Sequence, residues 1–157
     1  MRKLAKRLYR AAPDFIYYQV SHYLAHGSWV SFKNPKTFSE KIYQRMRYPH
    51  NDFSMLADKV AVREYISQRV SDKYLTPIIM ITDNFSERDY LALPQSFVIK
   101  TNNASQQVKI VKDKSKVTYQ DITKILSEWS GITYWKRFRE KHYANIPQKI
   151  IVEELLD

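Results

Sequence analysis

Ser96-Phe97-Val98-Ile99-Lys100 runs straight into Thr101-Asn102-Asn103-Ala104-Ser105, and the fold is decided by how this stretch is read. Its first half is rich in β-branched and aromatic residues, which predicts a strand. In that strand Phe97 and Ile99 face one way and Val98 and Lys100 the other. Its second half is polar, which predicts a turn. Gln107 to Lys112 is a second strand-like segment after only a few residues, so the two form a hairpin. A lysine at a strand end can place its ammonium on an anion that the following N–H groups also cradle. The turn carries no glycine, and the plainer reading of a lone strand lysine is a solvated one.

Beyond the hairpin, Lys149-Ile150-Ile151-Val152-Glu153-Glu154-Leu155-Leu156-Asp157 is an apolar strand that ends in acids. Such an end can offer backbone groups to the edge of a flat heterocycle while a carboxylate accepts from its amino group; two solvated acids are the plainer reading. Before the hairpin, Ile78-Ile79-Met80-Ile81 suits a short buried strand. A polar loop then leads through Asp83-Asn84-Phe85 to Leu93-Pro94. Thr118 is expected to cap a helix reaching about Trp129 and ended by Gly131. Tyr134 to Tyr143 reads as helical or irregular.

The first third is helical. Thr37-Phe38-Ser39-Glu40 has the form of a capping box and opens a helix to about Met46. A break at Tyr48-Pro49-His50-Asn51-Asp52 precedes a second helix, about Ser54 to Val70, with Leu56, Val60, Tyr65 and Ile66 on one side. Within it Lys59 and Arg63 share a face, and Asp58 adjoins them. A helix-surface ion pair worth roughly 0–1 kcal/mol is the plainer account of those three. Residues 1–26 read as a basic amphipathic helix whose apolar positions are Leu4, Leu8, Ala11, Phe15 and Tyr18, with Pro13 expected to kink or split it. This helix suits an anchor on anionic lipid and suits equally a solvated helix packed on the body. The sequence thus predicts an α+β fold, N-terminal helices followed by a small mixed or antiparallel sheet.

Composition sets the bounds. The 157 residues are 44% apolar and 14% aromatic, enough for one cored domain. Lys and Arg number 26 against 16 acids, a net charge of +10, so an anionic partner is expected. There is no cysteine, which excludes disulfides and thiolate metal sites, and four scattered histidines lack zinc spacing. No apolar run approaches the roughly 20 residues of a membrane span. The N-terminus lacks a signal-peptide apolar region, so a cytoplasmic location is expected, with peripheral binding to the inner membrane face as its variant. No nucleic-acid-binding motif accompanies the charge, and that partner class ranks last.

Taken together, the motifs carry a resemblance. Asn34-Pro35-Lys36-Thr37-Phe38-Ser39-Glu40-Lys41-Ile42, Leu56-Ala57-Asp58-Lys59-Val60-Ala61-Val62-Arg63-Glu64-Tyr65 and Tyr74-Leu75-Thr76-Pro77-Ile78 follow one another in the chain. Leu93 to Lys100, Arg139-Glu140-Lys141-His142-Tyr143 and Ile150-Ile151-Val152-Glu153-Glu154-Leu155 complete the series. This is similar to the TupA-like ATP-grasp proteins of bacterial cell-surface polysaccharide biosynthesis, often labelled glycosyltransferases. The resemblance divides the chain into a basic helical extension, 1–32, and the N-terminal part of an ATP-grasp domain, 33–157.

The resemblance implies that Lys59 and Lys100 hold ATP phosphates, with Asn102, Asn103, Ala104 and Ser105 in the place of a glycine-containing phosphate loop. It implies that Glu153 accepts from the adenine amino group and that the backbone of Glu154 and Leu156 reads the adenine edge. Ala104 stands where the family has glycine, which is expected to hinder close approach or a positive φ. The implied activity is ATP-dependent joining of a carboxylate to an amine, on a polysaccharide or peptide acceptor that the sequence does not identify. The family's magnesium ligands are expected beyond residue 157, so the chain is read as a truncated front half without a metal site of its own. ATP is then the implied cofactor, with magnesium only if the missing C-terminal half is supplied; an oligomer or that second half is the protein partner to expect. The alternative is a catalytically inactive accessory protein docking on a membrane surface or a partner through its basic helix. No D-x-D-like sugar-nucleotide signature supports the glycosyltransferase label.

Overall fold

A computed structural model describes residues 11–156. Four strands form one antiparallel sheet: β1 (Ile78–Thr82), β2 (Phe97–Thr101), β3 (Val108–Val111) and β4 (Ile150–Glu154), in the order β1-β4-β2-β3. The hairpin forms as its sequence predicts, with Phe97 opposite Val111 and Lys100 opposite Val108. The last strand in the chain inserts between β1 and β2, pairing Lys100 with Ile151 and Val98 with Glu153. Insertion gives β4 two hydrogen-bonded neighbours and leaves β1 and β3 as the edges. The fold is therefore α+β, as expected.

Alternation along the strands divides the sheet into two faces. Phe97, Ile99, Val111 and Val152 lie on one face and join Leu93 and Ile122 in a core of residues at most 5% exposed. Ile122 comes from α6 (Tyr119–Ser130), whose N-terminus is closed by the expected Thr118 with Asp121 in a capping box. The other face carries Val98, Lys100, Ile151 and Glu153.

The helices before the sheet are α1 (Asp14–His26), α2 (Phe38–Arg47), α3 (Phe53–Ala57) and α4 (Ala61–Arg69). Pro13 sits at the N-cap of α1, where its missing N–H leaves no intrahelical bond unmade. The split expected at this proline is present, Ala11 being helical and a new helix starting after Pro13; the expectation for residues 1–10, Leu4 and Leu8 among them, lies outside the described residues. Gly27 ends α1 at φ 71° with its N–H on the Tyr23 carbonyl, a left-handed cap that favours glycine. The capping box of α2 is present, with Glu40 Oε2 accepting from the N–H of Thr37 and Lys36 and Oε1 from Ser31. Those backbone bonds, Thr37's first, hold the Glu40 carboxyl down at about 2.

α1 is built into the body. Tyr18 is fully buried and donates to the carbonyls of Met46 and Arg139. His22 bonds Ser28 O and Ser39 Oγ through its two ring nitrogens. Asp14 pairs with Arg139 and with Lys141.

Three expectations need correcting. The helix predicted over 54–70 is broken at Asp58-Lys59-Val60, where the Lys59 N–H turns to Asn102 O in the loop after β2 and the Val60 N–H turns to Asp58 Oδ1. β1 is a sheet edge, with Ile81 41% exposed and its other residues half-buried, in place of the buried strand that its apolar run suits. The polar loop 83–94 contains α5 (Glu87–Ala92), and the Ser86–Asp89 capping box is the sequence signal for it. The 134–143 segment, read as helical or irregular, is both: α7 (Tyr134–Phe138) and a separate 3₁₀ turn, Lys141–Tyr143, parted by Arg139 at φ 60°.

Candidate functional site

The site grows from the junction of three chain segments on Asn102. This side chain is 1% exposed, and its buried amide must therefore find partners. Nδ2 donates to Asp58 Oδ1 and to Pro147 O, both at 3.0 Å, and Oδ1 accepts from the Lys149 N–H at 2.6 Å. The Asn102 N–H donates to Lys149 O at 3.1 Å, and its carbonyl accepts from the Lys59 N–H at 3.2 Å. One asparagine thus ties the α3–α4 break to the end of β2 and the start of β4.

That tie places Lys59. Its ammonium donates to Ala104 O at 2.5 Å and lies 3.4 Å from Asn102 O. Burial pulls its pKa below the ordinary lysine value, and the nearby Lys100 charge adds to the effect. Lys100 reaches across the sheet face to Glu153 Oε2 at 2.5 Å, and Arg63 approaches Oε1 of the same carboxylate at 3.5 Å. Arg63 also donates to Thr76 O at 2.5 Å. The side chains of Lys100 and Arg63 are each 20% exposed and that of Glu153 8%.

Three cations therefore gather around Glu153 and Asp58, and Asp58 is occupied by Asn102 and the Val60 N–H. An arrangement with surplus positive charge and low exposure favours an incoming anion. Lys59 is the group best placed to receive one. Its partners are neutral carbonyls, which a phosphate oxygen would replace with a charge-assisted bond.

The other residues singled out from sequence are placed less centrally. Asn103 donates to Ile146 O at 3.2 Å, and Ser105 is exposed. Ala104 is buried, and the left-handed residue of the loop is Gln106 at φ 67°. The positive φ that alanine at 104 is expected to hinder is thus absent there and is taken two residues later. The Glu153 carboxylate is already held by Lys100 and Arg63. The Glu154 N–H donates to Pro77 O at 3.1 Å, so only other backbone groups of that end could read a base edge. Leu156 is 63% exposed. Arg63 joins the constellation although its sequence suggests only a surface pair with Asp58; its four-residue spacing from Lys59 is the available signal. Asn102 as a structural hub has no local signal, because its partners lie more than 40 residues away. Among the described residues, no three His, Cys, Asp or Glu side chains converge as metal ligands.

The fold is an α+β domain whose antiparallel sheet packs a buried apolar core on one face and gathers Lys59, Arg63 and Lys100 at the other. The chain belongs to the TupA-like ATP-grasp family, whose model, described as TupA-like ATPgrasp, matches residues 40–157. Comparison with characterised proteins and with solved structures gives no match.

Proposed function

We propose that this chain binds ATP, with Lys59 and Lys100 on its phosphates, and serves carboxylate–amine ligation in the assembly of a cell-surface polysaccharide. The observation that carries the reading is the convergence of Lys59 and Lys100 beside Glu153, from segments 41 and 53 residues apart in the chain. Family membership supports the nucleotide, and the motif resemblance supports the ligase chemistry and the polysaccharide setting. In the bound state Lys59 exchanges Ala104 O for a phosphate oxygen, while Lys100 shares itself between Glu153 and the nucleotide. Ammonium groups so placed stabilise charge on the transferring phosphoryl oxygens. Glu153, freed in part from Lys100, accepts from the adenine amino group, and the chain around Leu156 lines the base edge.

Equilibrium dialysis with labelled ATP tests this reading. Saturable binding by the wild-type chain is expected, weakened about tenfold or more by Lys100→Met. Equal uptake by the two proteins would remove Lys100 from the site, and no saturable uptake by the wild type would end the proposal.

A further inference from the structure

We infer that the outward side of α1, together with Trp29, docks on an anionic membrane surface. This inference is independent of the nucleotide reading. From Phe15 to His26 the helix carries no Lys, Arg, Asp or Glu. Its inward side buries Tyr18 and His22. On the other side Ile16, Val20, Tyr23 and Leu24 recur at helical spacing, with Ile16 48%, Tyr23 46% and Leu24 75% exposed. Trp29, 61% exposed, stacks on Tyr23 with ring centres 4.6 Å apart. The solvent side of a packed helix is ordinarily polar, and a contiguous exposed apolar patch marks an interaction surface.

Charge selects the occupant. Residues 1–39 contain seven Lys or Arg and a single acid, Asp14. That acid is already paired with Arg139 and Lys141, so the sequence that carries the patch has a strongly positive balance. An anionic bilayer offers both complements: acyl chains for Ile16 and Leu24, and headgroup phosphates for the basic run Arg2 to Arg10. Tyr23 and Trp29 are the amphipathic rings that favour the boundary between the two. A second copy would bring the same positive charge against itself. The surface differs from the stripe expected from sequence, because Tyr18 of that stripe points inward. It is also held firmly, since Tyr18 and Asp14 fasten α1 to the segment at Arg139 to Lys141.

The test is co-sedimentation of the 157-residue chain with vesicles of phosphatidylcholine alone and of an equimolar mixture with phosphatidylglycerol. Leu24→Glu combined with Trp29→Ser changes exposed side chains, and circular dichroism checks that the fold persists. The wild type is expected to bind the mixed vesicles, and the double variant to bind them about tenfold more weakly. Equal binding by the double variant, or no binding by the wild type, would overturn the inference. So would lipid-free self-association that the double variant abolishes, which would make a second copy the occupant.

Discussion

The two faces of the sheet use the same four strands for opposite purposes. On the helix-covered face Phe97, Ile99 and Val152 meet Ile122 of α6, and every one of them is at most 1% exposed. One residue along, on the other face, Lys100 and Glu153 form an ion pair with Arg63 beside it, while Val108 and Ile110 at the β3 edge remain 44% and 52% exposed. The covered face supplies most of the burial, and the second face, although it buries Ile151, supplies charge on a rigid support. Parity in β2 therefore separates stability from chemistry: neighbouring residues answer to different demands.

The largest expected effect lies on the covered face. Phe97→Ala should cost about 3–5 kcal/mol through lost burial and a cavity, read as a lower urea midpoint. Val98→Ala, the next residue on the other face, should cost well under half of that. Equal losses would break the division between the faces. Asn102→Ala should destabilise by about 1–3 kcal/mol, because it leaves Asp58, Pro147 O and the Lys149 N–H short of partners. It should also weaken ATP binding by releasing the turn that carries Lys59. A stability loss without any loss of ATP affinity would separate the hub from the site.

The α2 capping box offers a contrast in the helical part. The folded pKa of Glu40, about 2, lies below its ordinary 4.5. Its contribution is therefore fully present above about pH 4.5 and is lost as pH falls through the folded value. Glu40→Gln should flatten that part of the acid-unfolding profile, and an unchanged profile would show that the carboxylate bonds carry no stability. The smallest effect concerns the loop after β2. Gln106→Gly should stabilise by up to about 1 kcal/mol, since glycine takes φ 67° without steric cost. Destabilisation on thermal melting would show that the Gln106 side chain outweighs its backbone strain.

Much of this organisation is legible in the sequence because it is local. Alternation in residues 96–100 gives the two faces, and the Thr37 and Thr118 capping boxes give two helix starts. What escapes is set by distant partners. The break at Asp58-Lys59-Val60 goes with the Lys59 N–H on Asn102 O and the Asn102 amide on Asp58, and helical periodicity carries no trace of that distant partner. β1 reads as buried because its apolar run is continuous, yet the insertion of β4 beside it leaves β1 at the edge. The site itself is half visible. Lys59, Lys100 and Glu153 come from motifs, while the pairing of Arg63 with Glu153 requires the fold.

The most direct test of the division between the faces is one variant with two readouts, Lys59→Met. Its ammonium is half-buried against carbonyl groups and is disfavoured by desolvation, so the fold does not depend on its charge. The unfolding midpoint in urea is predicted to stay the same or rise, while saturable ATP binding disappears. A clear loss of stability with ATP binding intact would contradict the account, making Lys59 a structural residue and leaving the second face without its proposed role.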